Sequence, residues 1–490
     1  NSVALRVNDS GLNKIEPQIV SLLGAGLDLA ALLPVGTKVI DNVCVQDSFA
    51  GCLARASAYV TNPPPSFSSF AVDLDAQNGY AVANLTIFGV KANVRIDSVV
   101  DCGRIGFTST DLHVDGDYLL QPDAAQANEY LDVNLTGSPR VALNGYSQNN
   151  DGSAGCGIVQ FFAGNLRDTV QGALVNFLKD PDGGGPQDAP VADAIETALS
   201  SLTIATTIGD ALGVSFKAPF TAVVVDPAGF TFKENARIVS SNGTGTGQCV
   251  YPPGAPKFSR TLASATAYPT FSGVVPGTTS PFDVGFGLSA TAFNQLLKTQ
   301  VECGLLNLEF AAFDFGNGPE PLTAATIGAL FPEFQKLPGE TPVKLEVLPT
   351  LAPIVTGDAG LNGSTTELRI SNIIVRIVQN DASQKVLLEG AFDARLGASF
   401  GFAAGQLAIT LGSIDGSNVT VNLLRNAIGV DQVAFETQQL PGLVASLVPL
   451  LTEGAIPGIP LPSFLGFNLG GLGVAKLDRF LTVYTSLSTP

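Results

Sequence analysis

The chain opens twice in the same way. At Asn1 it reads "NSVALRVNDSGLNKIEPQIVSLLGAGL", and at Pro281 it reads "PFDVGFGLSATAFNQLLKTQVECGLL". In each stretch apolar residues alternate, a serine follows, and apolar residues then recur three and four positions apart. Period two is the mark of a half-buried strand, and period three to four marks one face of a helix. Val3, Leu5 and Val7 form the first strand pattern; Asp9 and Ser10 supply N-cap chemistry; Leu12, Ile15, Ile19, Leu22 and Leu23 form the helix stripe. Pro17 is expected to kink this helix, and Pro34 and Gly36 to close it. Phe282, Val284, Phe286 and Leu288, then Ser289, then Phe293, Leu296 and Leu297 repeat the order. Whatever the first half becomes, the second should resemble it.

The rest of the chain keeps the parallel. From about Val39 to Val141 short period-two segments alternate with turns, and "AQNGYA" carries a hairpin signal. Ile158, Phe162, Leu166, Val170, Leu174 and Phe177 mark a long helix, and Val191 to Leu202 resume a helical face. Residues 241–281 are rich in Gly, Ser, Thr and Pro and read as a passage between two units, 1–240 and 282–490. In the second unit a shorter helix is expected in "TAATIGALFPEFQKL". Strand patterns then run from "TPVKLEVLP" to "NVTVNLL". Leu440, Leu443, Val444, Leu447, Val448 and Leu451 mark a late helix, and "LDRFLTVYTSL" is a last strand.

Composition narrows the function. Of 490 residues, 45% are apolar and only 14% charged, so a sizeable core is assured. A net charge of −18 without a Lys/Arg run opposes nucleic acid and anionic membrane surfaces as electrostatic partners. The six cysteines, Cys44, Cys52, Cys102, Cys156, Cys249 and Cys303, contain no C-x-x-C pair and suit disulfides in an oxidising compartment. Sequential pairing is the simplest of fifteen connectivities; buried free thiols are the alternative. The most apolar region, from Gln439 to Lys476, holds five prolines and Glu453, so a bilayer-spanning helix is not expected. A soluble protein, exported or periplasmic, is.

Two helices per half, separated by antiparallel strands, carry a physical consequence. A strongly twisted sheet can wrap a long helix and bury its stripe. If the sheet is too wide to close, an apolar slot remains, and apolar surface left in water costs roughly 25 cal/mol per Å². An acyl chain of about fifteen methylenes, at roughly 0.8 kcal/mol each, would contribute on the order of 12 kcal/mol before binding entropy is subtracted. The alternative is a slot filled by side chains.

In local wording and order, "VALRVNDSGLNKI", "GCGIVQFFAGNLRDTVQGAL", "VGFGLSATAFNQLLKTQVECGLL" and "LPGLVASLVPLLTEGAIPGIPLPSF" resemble the two-domain BPI/LBP/cholesteryl-ester-transfer group of the tubular lipid-binding (TULIP) superfamily. The resemblance spans nearly the whole chain. It implies an α+β fold: two pseudo-symmetric barrels, each a twisted antiparallel sheet wrapped on a long helix, joined by a central sheet into a boot shape. It also implies apolar pockets for phospholipid-like amphiphiles, and a disulfide from the N-terminal sheet to the long helix, a role that suits Cys102 and Cys156. Endotoxin-binding members carry cationic tips, which this acidic chain lacks.

The pocket residues expected are Leu12, Ile15, Ile19, Leu22, Ile158, Phe162, Leu166 and Val170 in the first half, and Phe293, Leu296, Leu297, Leu443, Val444 and Leu447 in the second. Ordinary core packing is the competing role for each. No catalysis, metal or cofactor other than a bound lipid is expected. "GASFG" at Gly397–Gly401 matches a nucleophile-elbow pattern, yet the one histidine, His113, precedes it in the chain. "NNDGSAG" and "DPDGGGPQD" group oxygen donors that would suit calcium but also suit plain turns. The expected partners are lipids or other amphiphiles, with transient membrane contact and no nucleic acid. The second functional reading is an assembly subunit of a surface or extracellular array.

Overall fold

The structure, a computed structural model, describes residues 1–24, 29–48, 51–98, 104–151, 190–200, 204–208, 214–240 and 267–488, with breaks at 126, 128–129, 305, 315–318, 404–405, 415, 446–458 and 461–466. The two similar openings meet. Strand Val3–Asn8 lies antiparallel to strand Val284–Ser289, with Val3 opposite Leu288, Leu5 opposite Phe286 and Val7 opposite Val284. Around this pair a six-stranded sheet runs in the order Phe220–Asp226, Gly229–Glu234, Val3–Asn8, Val284–Ser289, Phe480–Ser488, Asn468–Leu477. Each half contributes its opening strand and a hairpin from its far end, so the order reads alike from either edge. Gly229, at φ +138, is required in the first hairpin: a Cβ there would stand 2.1 Å from the Val7 carbonyl oxygen.

This central sheet is covered on both faces, which corrects the half-buried reading of the opening strand. Val3, Leu5, Val7, Phe230, Phe232, Val284, Phe286 and Leu288 are buried, and so are Arg6 and Asn8 between them. Arg6 is tolerated because its donors are satisfied. It forms two 2.7 Å bonds to Asp226 and reaches Thr231 Oγ1 and Asn8 Oδ1. Chain from the presumed linker lies over the second half of the sheet, where Phe271 and Phe282 pack their rings 6.5 and 4.8 Å from that of Tyr484.

Each half also carries an eight-stranded antiparallel sheet. In the first, strands Ala81–Ser98 and Arg104–Pro122 are 18 and 19 residues long, enough for right-handed twist to curl the sheet. Ala81, Ala83, Leu85 and Ile87 point inward in strict alternation. Helix Asp9–Gly24 lies against strand Ser69–Ala76 and helix Pro190–Ser200. In the second sheet a bulge between Ile370 and Ile373, with Asn372 at φ 54, bends strand Thr366–Gln379. The fold is α+β, mostly strand, with curled sheets.

Several expectations change. Ser10 lies inside helix Asp9–Gly24, and its hydroxyl donates to Asp283 and Phe282 across the joint instead of capping. The helix continues through Pro17. Strand Asn468–Leu477 was not anticipated, because its three glycines erase the alternation; the presumed last strand begins with the turn that joins it to Phe480–Ser488. The late helix has a π-helical turn at Phe435–Gln439, after which residues 440–445 are helical. Residues 152–189, holding the long helix expected at Ile158 to Phe177, lie outside the described residues.

Candidate functional site: two apolar pockets

The inner side of the first curled sheet leaves a pocket of about 530 Å³, its mouth included. Val39 and Val60 come from the sheet's first two strands, Val90, Ala92 and Val94 from the third long strand, and Phe107 and Leu112 from its neighbour; Leu33 and Pro65 complete the wall. Tyr146 also lines it, and its serine and threonine hydroxyls are already occupied. Thr108 Oγ1 lies 2.7 Å from Ser147 Oγ, and Ser109 Oγ is 2.7 and 2.6 Å from the carbonyl oxygens of Asp111 and Asn144. Such a wall offers a guest mainly dispersion and desolvation.

The second pocket, about 260 Å³, lies where the second half's helix Ala290–Glu302 leaves the central sheet. Leu288, Phe293, Val355, Phe400, Phe480 and Leu481 form its apolar wall, with the Phe293 and Phe400 ring centres 5.1 Å apart. Ser289 sets the helix in place: its Oγ accepts from the Ala292 N–H at 3.2 Å. Asn294, wholly buried, ties the helix to strand Ile354–Val355 by bonding both polar backbone groups of Val355, at 2.7 and 3.0 Å. Lys476 and Arg479, on either side of a hairpin turn, complete the lining. Gly357, at φ +77, lets the Arg479 stem lie across the mouth; a Cβ would meet it at 3.1 Å.

The pocket residues expected from the sequence divide. Leu12, Ile15 and Ile19 are fully buried in the core, but Leu22 is 42% exposed. It falls on the solvent side of the stripe that Leu23 continues inward, so it lines no interior pocket. Phe293 lines the second pocket; Leu296, Leu297, Leu443 and Val444 are buried in the surrounding core and are not among its wall residues. Ile158, Phe162, Leu166, Val170 and Leu447 lie outside the described residues. The strand residues of the first pocket are not among those the helix stripes mark; the alternation of Val90, Ala92 and Val94 is the signal the sequence carries for them.

Cys44 and Cys303 are disulfide-bonded, and no described cysteine is free. Their partners' side chains, the side chain of Cys52, and Cys102, Cys156 and Cys249 lie outside what is described. Ser399 sits in mid-strand, paired with Thr410, away from any strand–turn–helix elbow. His113 is on the other half's sheet, 2.9 Å from Asp111 and 3.0 Å from Thr86 Oγ1. Among the described residues no three His, Cys, Asp or Glu side chains converge as a metal site, and no helix is long and apolar enough to cross a membrane.

One buried charge-bearing group stands apart. Glu234 is wholly buried on the apolar side of the central sheet, opposite Val3 and Phe220, and neither carboxyl oxygen has a partner. Burial pushes its pKa far above the ordinary carboxyl value, so it is held neutral. Burial also raises Glu16 to about 7, although the Leu74 N–H bonds its carboxylate.

No protein-family profile matches the chain, and no curated protein matches its sequence. Solved structures do. The structure described as "lipopolysaccharide binding protein" aligns over 100% of this chain and 99% of its own at 15% identity, with a TM-score of 0.50. P47 of Clostridium botulinum E1 aligns over 99% of both chains at 6% identity and TM-score 0.31. P47 from Clostridium botulinum A2 aligns over 99% and 97% at 8% identity and TM-score 0.29. The first likeness shows a BPI/LBP-like fold; the other two scores lie below the level of a shared fold.

Proposed function

We propose that this chain is a lipid-binding protein that takes the hydrocarbon chain of an amphiphile into apolar pockets and leaves the head at the mouth. The observation that carries the reading is the chemistry of the first-half pocket: a solvent-open concavity walled mainly by valine, leucine and phenylalanine with Tyr146, its lining serine and threonine hydroxyls already bonded within the protein. A wall of that chemistry favours an alkyl chain over water or a polar metabolite. The fold shared with a structure described as lipopolysaccharide binding protein supports the same reading.

In this proposal residues 1–240 and 282–490 are two TULIP-type units joined through 241–281, the protein works in an oxidising, exported setting with its cysteines paired, and it does no covalent chemistry. Transfer follows from desolvation alone: the chain leaves a bilayer for a preformed slot. The test is uptake of a fluorescent acyl-chain lipid from neutral phosphatidylcholine vesicles. Saturable uptake that weakens with Val94→Asp or Phe107→Asp supports the proposal; uptake no greater than that of an unrelated acidic protein refutes it.

A further inference from the structure

Resting on the lipid-binding reading above, we propose that the seam between helix Asp9–Gly24 and strand Ser69–Ala76 is the portal to the first-half pocket, and that the Glu16 carboxyl is a proton-operated latch across it. Helix and strand run antiparallel along the seam. Asp9 lies within electrostatic reach of Asp75 at one end, Glu16 bonds Leu74, and Gly24 lies beside the Phe70 ring towards the other end. Beyond that end both sides continue into the pocket lining: Leu33 follows the helix, and Pro65 precedes the strand. Ile15, Ile19 and Leu23 on the helix and Val72 and Leu74 on the strand belong to one buried apolar cluster. An alkyl chain passing between them stays in hydrocarbon.

Strand Ser69–Ala76 is an edge. Among the described residues it pairs with strand Ala81–Ser98 and no other. Its free side is tied to the helix by the Leu74 N–H, which donates to Glu16 Oε1 at 3.0 Å. A side-chain tie of this kind opens at lower cost than a backbone ladder. The second half supplies the contrast. There helix Ala290–Glu302 lies against edge strand Ile354–Val355, and wholly buried Asn294 bonds both the N–H and the carbonyl of Val355, at 2.7 and 3.0 Å. An amide does not titrate, so that seam has no proton switch; a carboxyl in the same role supplies one.

In the closed seam burial holds the Glu16 proton, and Asp73 and Asp75 on the strand add to it, although the Leu74 N–H favours the carboxylate. The cations on the packed elements are committed elsewhere: Lys14 to Asp283 and the Leu487 carbonyl, Arg6 to Asp226. On helix Pro190–Ser200, Glu196 accepts the Val133 N–H, and Asp193 is a further acid; Tyr484 of strand Phe480–Ser488 packs on Phe282. Glu16 therefore ionises near 7 when the seam is closed, against 4.5 when it is open to water. The closed form binds the proton more tightly, so it loses relative stability as pH rises from 4.5 to about 7, and the seam opens more. Without screening the open fraction would rise about 300-fold. Glu16 is only half-buried, and solvent reduces that to roughly tenfold.

The test follows a fluorescent acyl-chain lipid from neutral phosphatidylcholine vesicles to the full chain between about pH 5 and pH 8, where the vesicle charge stays constant. Wild-type uptake should quicken roughly tenfold across that range. Glu16→Gln keeps an oxygen for the Leu74 N–H and removes the titration. Its uptake should stay slow and flat, and it should melt no lower than wild type at the alkaline end. Hydrogen exchange of strand Ser69–Ala76, corrected for the intrinsic pH dependence of amide exchange, locates the change. Protection there should fall with pH in wild type and stay constant in Glu16→Gln. A flat wild-type profile, a profile shared by both proteins, or a change in uptake without one at Ser69–Ala76 overturns the latch and leaves the lipid reading intact. No uptake at any pH overturns the lipid reading, and the portal with it.

Discussion

Glu234 shows how a single residue can report on the interior. It is held neutral because burial between Val3, Phe220 and Phe232 penalises its charge and no side chain or backbone group bonds its carboxyl oxygens. In the unfolded chain it ionises near its ordinary value of 4.5, whereas the native protein keeps the proton. The native state then binds more protons than the unfolded one, so this group lowers stability as pH rises above about 4.5. Glu234→Gln removes that titration. The variant is expected to gain on wild type by about 1.4 kcal/mol for each pH unit above about 4.5, until the native carboxyl itself ionises. Denaturant melts of both proteins from pH 4 to pH 8 check this; a constant gap would mean that Glu234 is solvated or paired. Nothing in "GFTFKENARI" signals a buried acid, because a carboxylate at a strand end usually faces water. Arg6 misleads in the same way: its burial depends on Asp226, far along the chain.

Elements were legible where side chains write a period. Ser289 and the stripe behind it identified helix Ala290–Glu302, including its cap. Ser289→Ala should cost about 1 kcal/mol, read as a fall in denaturation midpoint, and Ser289→Asp should recover part of it by accepting the same N–H bond. Equal stability of wild type and Ser289→Ala would show that the cap contributes nothing. Ser10 looked equivalent, yet it is used as a tie to Asp283, because the strand and helix junction there abuts the other half. Strand Asn468–Leu477 was illegible for a different reason: "NLGGLGVAKL" has too few side chains to alternate, and its pairing is imposed by Phe480–Ser488. The pocket walls share this dependence on context. Their residues come from strands distant in sequence.

At the scale of the whole molecule, the repeated opening marks the place where the halves join. Strands Val3–Asn8 and Val284–Ser289 satisfy each other's backbone groups at the centre of one continuous sheet. Residues 1–240 expressed alone would expose an unpaired, apolar strand edge and are expected to self-associate, since open edges template further pairing. Light scattering that reports a stable monomer at micromolar concentration would contradict this. Repetition and the strand-rich halves could be read from the sequence; the size of each pocket could not, because volume depends on how tightly curled sheets close. The central claim is that those volumes hold lipid. Native mass spectrometry of the purified full chain, coupled to organic extraction of the same sample, tests it most directly. Discrete adducts in the mass range of one or two acyl-chain lipids are expected, which extraction recovers and incubation with isotopically labelled vesicles replaces. A spectrum of bare polypeptide before and after vesicle incubation, with no lipid in the extract, would contradict it.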